Sequence, residues 1–236
     1  DLLQFATTAV SLFESAPTAV IAVQRVGAGN ATVTVNYNTV LGGTANYTAT
    51  NGTLTFNPGV NSQNIVVVLT NDTATNAARS FDVQLTGPGG ASLSGAGALA
   101  TVTILDDDSV LQFATNAVSV SESLGSVSLT VTRIGVSNSV ASVAFTTTTN
   151  GTATNTTDYL PTNGVIVFGS NVTSGVITVQ LLNDTVVEPD ETFTVVLSTP
   201  IGEASLGAFT SNTVTILNDD NVVQFAIGTY SVVERL

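Results

Sequence analysis

The sequence predicts an all-β protein made of two tandem antiparallel β-sandwiches, each with about seven strands. The segment 104–114, in which one predicted strand ends and the next begins, recurs in close form at 216–226. Such recurrence is expected of a repeated unit. Apolar and polar residues alternate along segments such as 127–131, which is the period of a half-buried strand. Thr, Ser, Asn and Val are abundant while only 9% of residues are charged, and this composition favours strands over helices or disorder.

The repeats align in a definite register, which sets the domain boundaries. Gln4 matches Gln112 at an offset of 108 residues, and Phe56 matches Phe168 at an offset of 112. The extra residues of the second repeat fall within 146–157, a Thr-, Asn- and Gly-rich run that a surface loop accommodates at little cost. We therefore assign residues 1–108 to the first repeat and 109–221 to the second. We assign 222–236 to the first strand of a third repeat, either truncated or pairing with another subunit.

The strands of the second repeat follow from the alternation and from the Gly, Asn and Pro residues that interrupt it. They are predicted at 111–121, 126–134, 141–147, 164–168, 174–182, 192–198 and 212–217. The first repeat offers the same series, and no stretch has a helical pattern. Seven short strands in about 110 residues are typical of an immunoglobulin-like sandwich.

Composition excludes several classes of function. The chain has no Cys, His or Met, and its four basic residues are all Arg, so the usual general bases, thiolate ligands and Schiff-base amines are missing. We expect no enzyme; a glycosidase using Glu188 and Glu191 is the lowest-ranked alternative. The net charge of −13 disfavours nucleic acid and anionic lipid as partners. No apolar run approaches the roughly 20 residues of a membrane helix, so we expect no membrane insertion.

Acidic residues gather at one end of each predicted sandwich. If successive strands reverse direction, alternate strands end at the same place, and in the second repeat the acids follow those strands. This acidic end carries Glu122, Asp158, Asp184, Glu188, Asp190, Glu191, Asp219 and Asp220. Two unit charges about 4 Å apart repel by roughly 4 kcal/mol at an effective dielectric constant near 20. A solvated acidic loop is one interpretation, and a bound cation is the other.

Calcium is the cation that best suits these ligands, because it takes six to eight oxygen ligands from carboxylates, amides and carbonyls. Zinc is disfavoured without His or Cys. Magnesium stays open, although it prefers fewer protein ligands and retains water. A calcium site at the acidic end is therefore the leading interpretation.

Three segments of the second repeat together resemble the signature of the Calx-beta domain. They are Asp158-Tyr159, the run Asn-Asp-Thr-Val-Val-Glu-Pro-Asp-Glu-Thr-Phe at 183–193, and Thr-Ile-Leu-Asn-Asp-Asp at 215–220. The resemblance implies an immunoglobulin-like sandwich that binds Ca²⁺ at the acidic end. It also implies a ligand set, which is Glu122, Asp158, Asp184, Glu188, Glu191, Asp219, Asp220 and the carbonyl of Val186.

The first repeat departs from this pattern. Acids stand at the matching positions Glu14, Asp72, Asp106, Asp107 and Asp108. However, Asn46 replaces Asp158, while Asn76 and Arg79 replace Glu188 and Glu191. We expect fewer or weaker calcium ions in the first repeat, with Arg79 pairing internally with Asp72 or with the acids at 106–108.

These features predict a secreted or cell-surface structural and adhesive repeat, stiffened by calcium. Assembly into fibres through the strand at 223–236 is the alternative to a truncated third repeat. The alternative function is a regulatory calcium-sensing module of a larger membrane protein. Eight Asn-x-Thr sequons, such as those at Asn30, Asn51 and Asn171, would accept glycans if the chain is secreted. Arg25 and Arg133 are expected to end their strands as solvated charges.

Overall fold

The computed structural model describes residues 1–40 and 46–224, which fold into two compact units. Among the described residues, the first unit contains those within 1–110 together with Ile134–Ser139 and Glu203–Ser205, and the second contains Leu111–Arg133, Val140–Gly202 and residues 206–224. Most residues of the predicted third-repeat strand, 225–236, lie outside the described residues. Within the described ranges, no helix has the length and apolarity needed to cross a bilayer.

The first domain is a sandwich of two sheets. Its strands are β1 (Leu2–Phe5), β2 (Ala9–Phe13), β3 (Thr18–Val26), β4 (Val33–Val40), β5 (Asn51–Phe56), β6 (Ser62–Val68), β7 (Arg79–Gly89), β8 (Ser92–Leu93) and β9 (Leu99–Leu105). One sheet has the order β6-β3-β1-β8 and the other β2-β9-β7-β4-β5. A 3-10 turn at Ala96–Ala98 precedes β9.

The second domain repeats this arrangement. Its strands are β10 (Ser109–Phe113), β11 (Ala117–Ser121), β12 (Ser126–Gly135), β13 (Ala141–Thr148), β14 (Asn163–Phe168), β15 (Ser174–Gln180), β16 (Glu191–Ile201), β17 (Ala204–Leu206) and β18 (Ser211–Leu217). Its sheets have the orders β15-β12-β10-β17 and β11-β18-β16-β13-β14. The predicted all-β class with tandem sandwiches is confirmed.

The core of each domain lies between its two sheets. Along β3, buried Ala19, Ile21 and Val23 alternate with residues that face outward. Phe56 and Phe81 are at most 1% exposed in the first domain, and Phe168 and Phe193 occupy the matching places in the second. Full burial of each such ring stabilises the fold by about 2 to 3 kcal/mol.

The first predicted strand of each repeat is in fact two strands that belong to different sheets. The segment predicted at 111–121 divides into β10 and β11, and β11 pairs in parallel with β18. In the first domain β2 likewise pairs in parallel with β9. Apolar alternation could not show this division, because side chains on both halves face the same core. The short strands β8 and β17 were also not predicted.

Arg25 and Arg133 are buried, so the prediction that they are solvated is wrong. Arg25 continues the inward-facing row of Ile21 and Val23 on β3 and is 4% exposed. Its guanidinium Nη2 lies 2.5 Å from Asp1 Oδ2, and Nη1 donates to the carbonyl of Phe56 at 3.5 Å. On β12, Arg133 is 3% exposed, and burial lowers the pKa of its guanidinium.

Candidate metal centres

Parallel strand pairing creates the acidic end of the first domain. Phe13 at the end of β2 faces Leu105 at the end of β9, and the backbone N–H of Glu14 donates to the Leu105 carbonyl at 3.0 Å. Because the two strands end side by side, Glu14 and Asp106 leave the sheet at the same place. An antiparallel pair would have put them at opposite ends.

Glu14, Asp106 and Asp108 form a cluster whose ligand oxygens all lie within 4.8 Å of one another. Glu14 is 3% exposed and Asp108 is fully buried. When both groups are ionised, no donor among the described residues gives a hydrogen bond to either oxygen of Asp108 or to Oε1 of Glu14. Buried carboxylates without partners are costly in their charged form. The cluster must therefore hold a proton or a cation.

The pKa values of this cluster reflect the cost of burying ionised carboxylates. Burial is the main cause that raises the pKa of Asp108 to about 7, and the adjacent Glu14 carboxyl contributes to the same shift. Burial also raises the pKa of Glu14, with the charge of Asp72 contributing, while a hydrogen bond with Asp108 acts in the opposite direction. Protons are thus retained here at a pH where ordinary carboxyls are ionised.

The other predicted acids of the first domain have different surroundings. Ser15 donates its hydroxyl to Asp107 Oδ2, and the second oxygen of Asp107 is buried without a partner among the described residues. Asp72 lies outside the cluster of Glu14. It accepts hydrogen bonds from the Asn46 side chain at 2.7 Å and from the backbone N–H of Ala74 at 2.8 Å.

Asn76 and Arg79 stand at the positions of Glu188 and Glu191, and neither of them supplies a carboxylate there. The backbone N–H of Asn76 donates to Asp106 Oδ1 at 2.9 Å, and its side-chain amide donates to Asp72 at 3.3 Å. Arg79 begins β7 and is partly buried. Within residues 1–40 and 46–224, no ion pair joins Arg79 to Asp72 or to the acids at 106–108. The predicted internal pairing of Arg79 is therefore not observed.

The described part of the second domain contains two acidic clusters, each with ligand oxygens within 4.8 Å of one another. The first cluster is Glu122, Asp184 and Asp220, and the second is Asp158, Glu188 and Glu191. One pocket touches both clusters; it is lined by Glu122, Asp158, Leu182, Glu188, Pro189, Glu191, Ile216 and Asn218. Two cations could therefore share this end of the domain.

Parallel pairing again builds the first of these clusters. Ser121 faces Leu217 across β11 and β18, so Glu122 and Asp220 follow strands that end side by side. Glu122 starts a 3-10 turn and is 7% exposed. The backbone N–H of Asp184 donates to Glu122 Oε1 at 2.7 Å. Asp220 Oδ2 is buried and has no hydrogen-bond partner among the described residues.

The second cluster is dominated by the contact of Glu191 with Asp158. Desolvation is the main cause that raises the pKa of Glu191 to about 7, and a hydrogen bond with Asp158 and the charge of Asp158 contribute to the same shift. The pKa of Glu188 is also raised, by desolvation first and by the charges of Asp158 and Asp184 next. Asp158 itself is fixed by the backbone, since Thr154 N–H donates to its Oδ2 at 2.5 Å.

Of the predicted side-chain ligands of the second repeat, only Asp219 is in neither cluster; the clusters are made of side-chain carboxylates, so they do not test the predicted carbonyl ligand of Val186. Asp219 accepts a hydrogen bond from the hydroxyl of Ser121 at 2.8 Å, and hydrogen bonds from Ser123 and Ser121 lower its pKa. Val186 donates its N–H to Asp184 Oδ1 at 2.6 Å, and its side chain is 55% exposed. The serines were not predicted, because nothing in their spacing distinguishes them from other strand-end serines.

The donor set fits a hard divalent cation. Every clustered side chain offers carboxylate oxygen, and neither nitrogen nor sulfur is present among the clustered ligands. The unpartnered oxygens of Asp108 and Asp220 have lone pairs that a cation would use. Oxygen-only carboxylate sites suit calcium better than zinc.

Sequence comparisons identify a family and a relative of the chain. The Calx-beta domain family matches residues 1–108 and 106–221. The sodium/calcium exchanger Calx of Drosophila melanogaster is 28% identical over 151 residues, which is 63% of this chain and 16% of the exchanger. The chain therefore spans about one sixth of the length of that relative.

Solved structures from the same group are also similar. CBD12 from CALX1.2 is 24% identical and has a TM-score of 0.48, with 92% of this chain and 100% of that chain covered. The apo form of the Calx CBD1 domain is 30% identical and has a TM-score of 0.46, with 48% of this chain and 98% of that chain covered. Because the family matches both repeats, the chain belongs to the Calx-beta domain family and contains two Calx-beta domains in tandem.

Proposed function

We propose that the chain is a calcium-sensing, regulatory part of a larger protein. The observation that carries the proposal is the buried pair of Glu14 and Asp108, whose facing oxygens have no hydrogen-bond donor among the described residues. Without a cation, the two groups cannot both ionise at low cost. The state of this end of the domain therefore depends on calcium concentration.

Calcium acts here as a ligand of the folded state. It binds the assembled carboxylates better than the separated ones of the unfolded chain, and it stabilises the fold by mass action. The same argument applies to the loop between β15 and β16, which contributes Asp184 and Glu188. Its exposed Val186 and Val187, 55% and 49% accessible, give the loop little apolar packing, so its order depends on the ion.

The sequence relationship to a sodium/calcium exchanger supports a regulatory role over an adhesive one. Because the chain covers 16% of that exchanger, transport itself is not assigned to it. The proposed role is non-enzymatic: calcium binding changes the stability of these domains, and the attached protein responds. A ligand can shift such an equilibrium only by its differential affinity for the two states.

Calorimetric titration of the chelator-treated chain with calcium chloride tests this proposal, with magnesium chloride as the comparison. We expect saturable calcium binding, weaker magnesium binding and a rise in Tm. At a calcium concentration of 100 times Kd, each site adds about 2.7 kcal/mol to the free energy of unfolding. An unchanged Tm and no binding heat at millimolar calcium would rule out the proposal.

The extracellular adhesive role predicted from the sequence is a second candidate. Exposed sequons at Asn30, Asn51 and Asn171 favour it, because glycan acceptors on secreted proteins lie at the surface. Sedimentation of the chain with and without residues 223–236 tests fibre formation. Calcium-dependent polymers that disappear with the deletion would support this role, and a monomer at all concentrations would remove it.

A further inference from the structure

We propose that Tyr159 is a positioning residue for the carboxylates of Asp158 and Glu191. The inference rests on the calcium binding proposed above and adds the means by which the second domain holds one of its ion sites. Tyr159 does not itself need to contact the ion. Its ring and hydroxyl fix the two chain segments that carry the acids.

The ring of Tyr159 joins these segments directly. It stacks on Phe193 with a centroid distance of 4.2 Å and an interplanar angle of 13°, and both side chains are at most 1% exposed. Asp158 immediately precedes Tyr159 in the chain. Glu191 lies two residues before Phe193 on β16, hence on the same face of that strand. The stack therefore sets the separation of the two carboxylates.

Hydrogen bonds prevent the Asp158 segment from rotating about this stack. The Tyr159 hydroxyl donates to the carbonyl of Thr148, the last residue of β13, at 3.2 Å. On the other side, the N–H of Leu182 donates to the Asp158 carbonyl at 2.9 Å. Tyr159 also forms a β-bridge with Leu181. The segment is thus anchored to β13 and to the end of β15.

The loop that carries Asp158 also lies directly on the start of β16. Gly151 has φ +147°, and a Cβ at this position would come within 2.0 Å of the Thr192 carbonyl oxygen. The N–H of Ala153 donates to the same carbonyl at 2.9 Å. Only glycine permits this approach, so the loop and the strand that carries Glu191 are fixed together at a second point.

The first domain contains the same stack without the acids. Tyr47 stacks on Phe81 at 4.0 Å and 19°, but Asn46 and Arg79 occupy the places of Asp158 and Glu191. Within the described residues the Tyr47 hydroxyl has no hydrogen-bond partner. The chain therefore provides an internal control in which an equivalent aromatic pair supports no carboxylate pair.

The test compares Tyr159→Leu with Tyr47→Leu by calcium titration and thermal unfolding of the full chain. Both variants lose a stack and should lower Tm. Only Tyr159→Leu should weaken calcium binding, by about tenfold or more, the usual effect of removing a group that orients metal ligands. Tyr159→Phe keeps the stack and should lose about fivefold or less, the value of one neutral hydrogen bond.

A double-mutant cycle separates positioning from general loss of packing. In a Glu191→Gln background, Tyr159→Leu should cause no further loss of calcium affinity. Where Tyr159→Leu does not fold, Phe193→Leu removes the same stack, with Phe81→Leu as its match. Any of three results would overturn the inference. The first is an unchanged calcium affinity after loss of the second-domain stack, and the second is an equal loss of calcium affinity in the matched first-domain variant. The third is a further loss of calcium affinity when Tyr159→Leu is added to Glu191→Gln. Failure of the wild-type chain to bind calcium would instead reject the proposed function.

Discussion

Glu14 and Asp108, from opposite ends of the first repeat, place ligand oxygens within 4.8 Å of each other in a site that leaves them 3% and 0% exposed. Parallel pairing of β2 with β9 brings them together. Several properties of the molecule depend on how this pair is neutralised.

The stability of the calcium-free first domain should fall as pH rises from about 4 to 7. Asp108 has a pKa of about 7 in the fold against about 3.9 in an unfolded chain, so the folded state holds its proton more tightly. Its contribution is complete below pH 4 and is lost as pH rises through 7, a change on the order of 4 kcal/mol. Thermal unfolding in chelator across this range measures it, and a stability that rises with pH would contradict the assignment.

Asp108→Asn should abolish most of that pH dependence. The amide has the shape of the protonated acid but cannot ionise, so the calcium-free variant should be more stable than wild type at pH 8. It should also lose calcium affinity in the first domain, because an amide is a weaker ligand than a carboxylate. Urea unfolding at pH 5 and pH 8, with and without calcium, checks both effects. Asp82→Asn, at a strand position bonded to Thr101, is the matched control.

Glu191→Gln should remove calcium binding at the cluster of Asp158, Glu188 and Glu191. It should also raise the calcium-free Tm, since it eliminates a partly buried carboxyl whose pKa is near 7. Titration calorimetry should show fewer bound ions per chain than wild type. Asp190→Asn provides the control because Asp190 is outside both clusters; an equal loss in that variant would place the ion elsewhere.

It should be possible to build a second calcium site in the first domain with the acids of the second domain. The triple variant Asn46→Asp, Asn76→Glu and Arg79→Glu restores the acids found at the matching positions of the second domain. We expect a gain of about one calcium ion per chain, and a lower Tm in chelator because the new acids repel one another. Arg79→Gln alone should produce no new site. An unchanged stoichiometry in the triple variant would show that these three acids are not sufficient for a second site.

Arg25→Met should destabilise the first domain by about 3 kcal/mol, because it leaves the largely buried Asp1 carboxylate without its partner. Urea unfolding of the first domain gives the value. The double variant Arg25→Met with Asp1→Asn should recover part of the loss. Failure to recover any stability would indicate that the bonds of Arg25 to the carbonyls of Phe56 and Asn57 carry the effect.

Much of the fold followed from the sequence, because alternation and turn residues are local signals. The strand containing Val127, Leu129 and Val131 forms as β12, with these three residues buried. Alternation could not distinguish a charged residue at the end of an inward-facing row from a solvated one. Arg25 was misassigned for this reason: its position on β3 faces the core, and its partner Asp1 is distant in the chain.

The candidate site was only partly predictable. The sequence placed most of the acids at one end, but the grouping into clusters depends on which strands are neighbours. Asp219 illustrates the limit, since it follows the same strand as Asp220 yet binds Ser121. A shift of one residue in the pairing of β11 with β18 would change which carboxylate lies beside Glu122.

The parallel pairing of β2 with β9 also determines how a single domain responds to tension. β2 lies near the start of the first domain and β9 near its end, and five residue pairs face each other between them. Pulling on the two chain ends draws these strands past each other along their length, so their hydrogen bonds resist together and do not open one at a time. Glu14 and Asp106 lie at one end of the pair formed by β2 and β9. A cation shared by them would link the two strands at that end, so the resistance of the domain to mechanical force would depend on the ions around it.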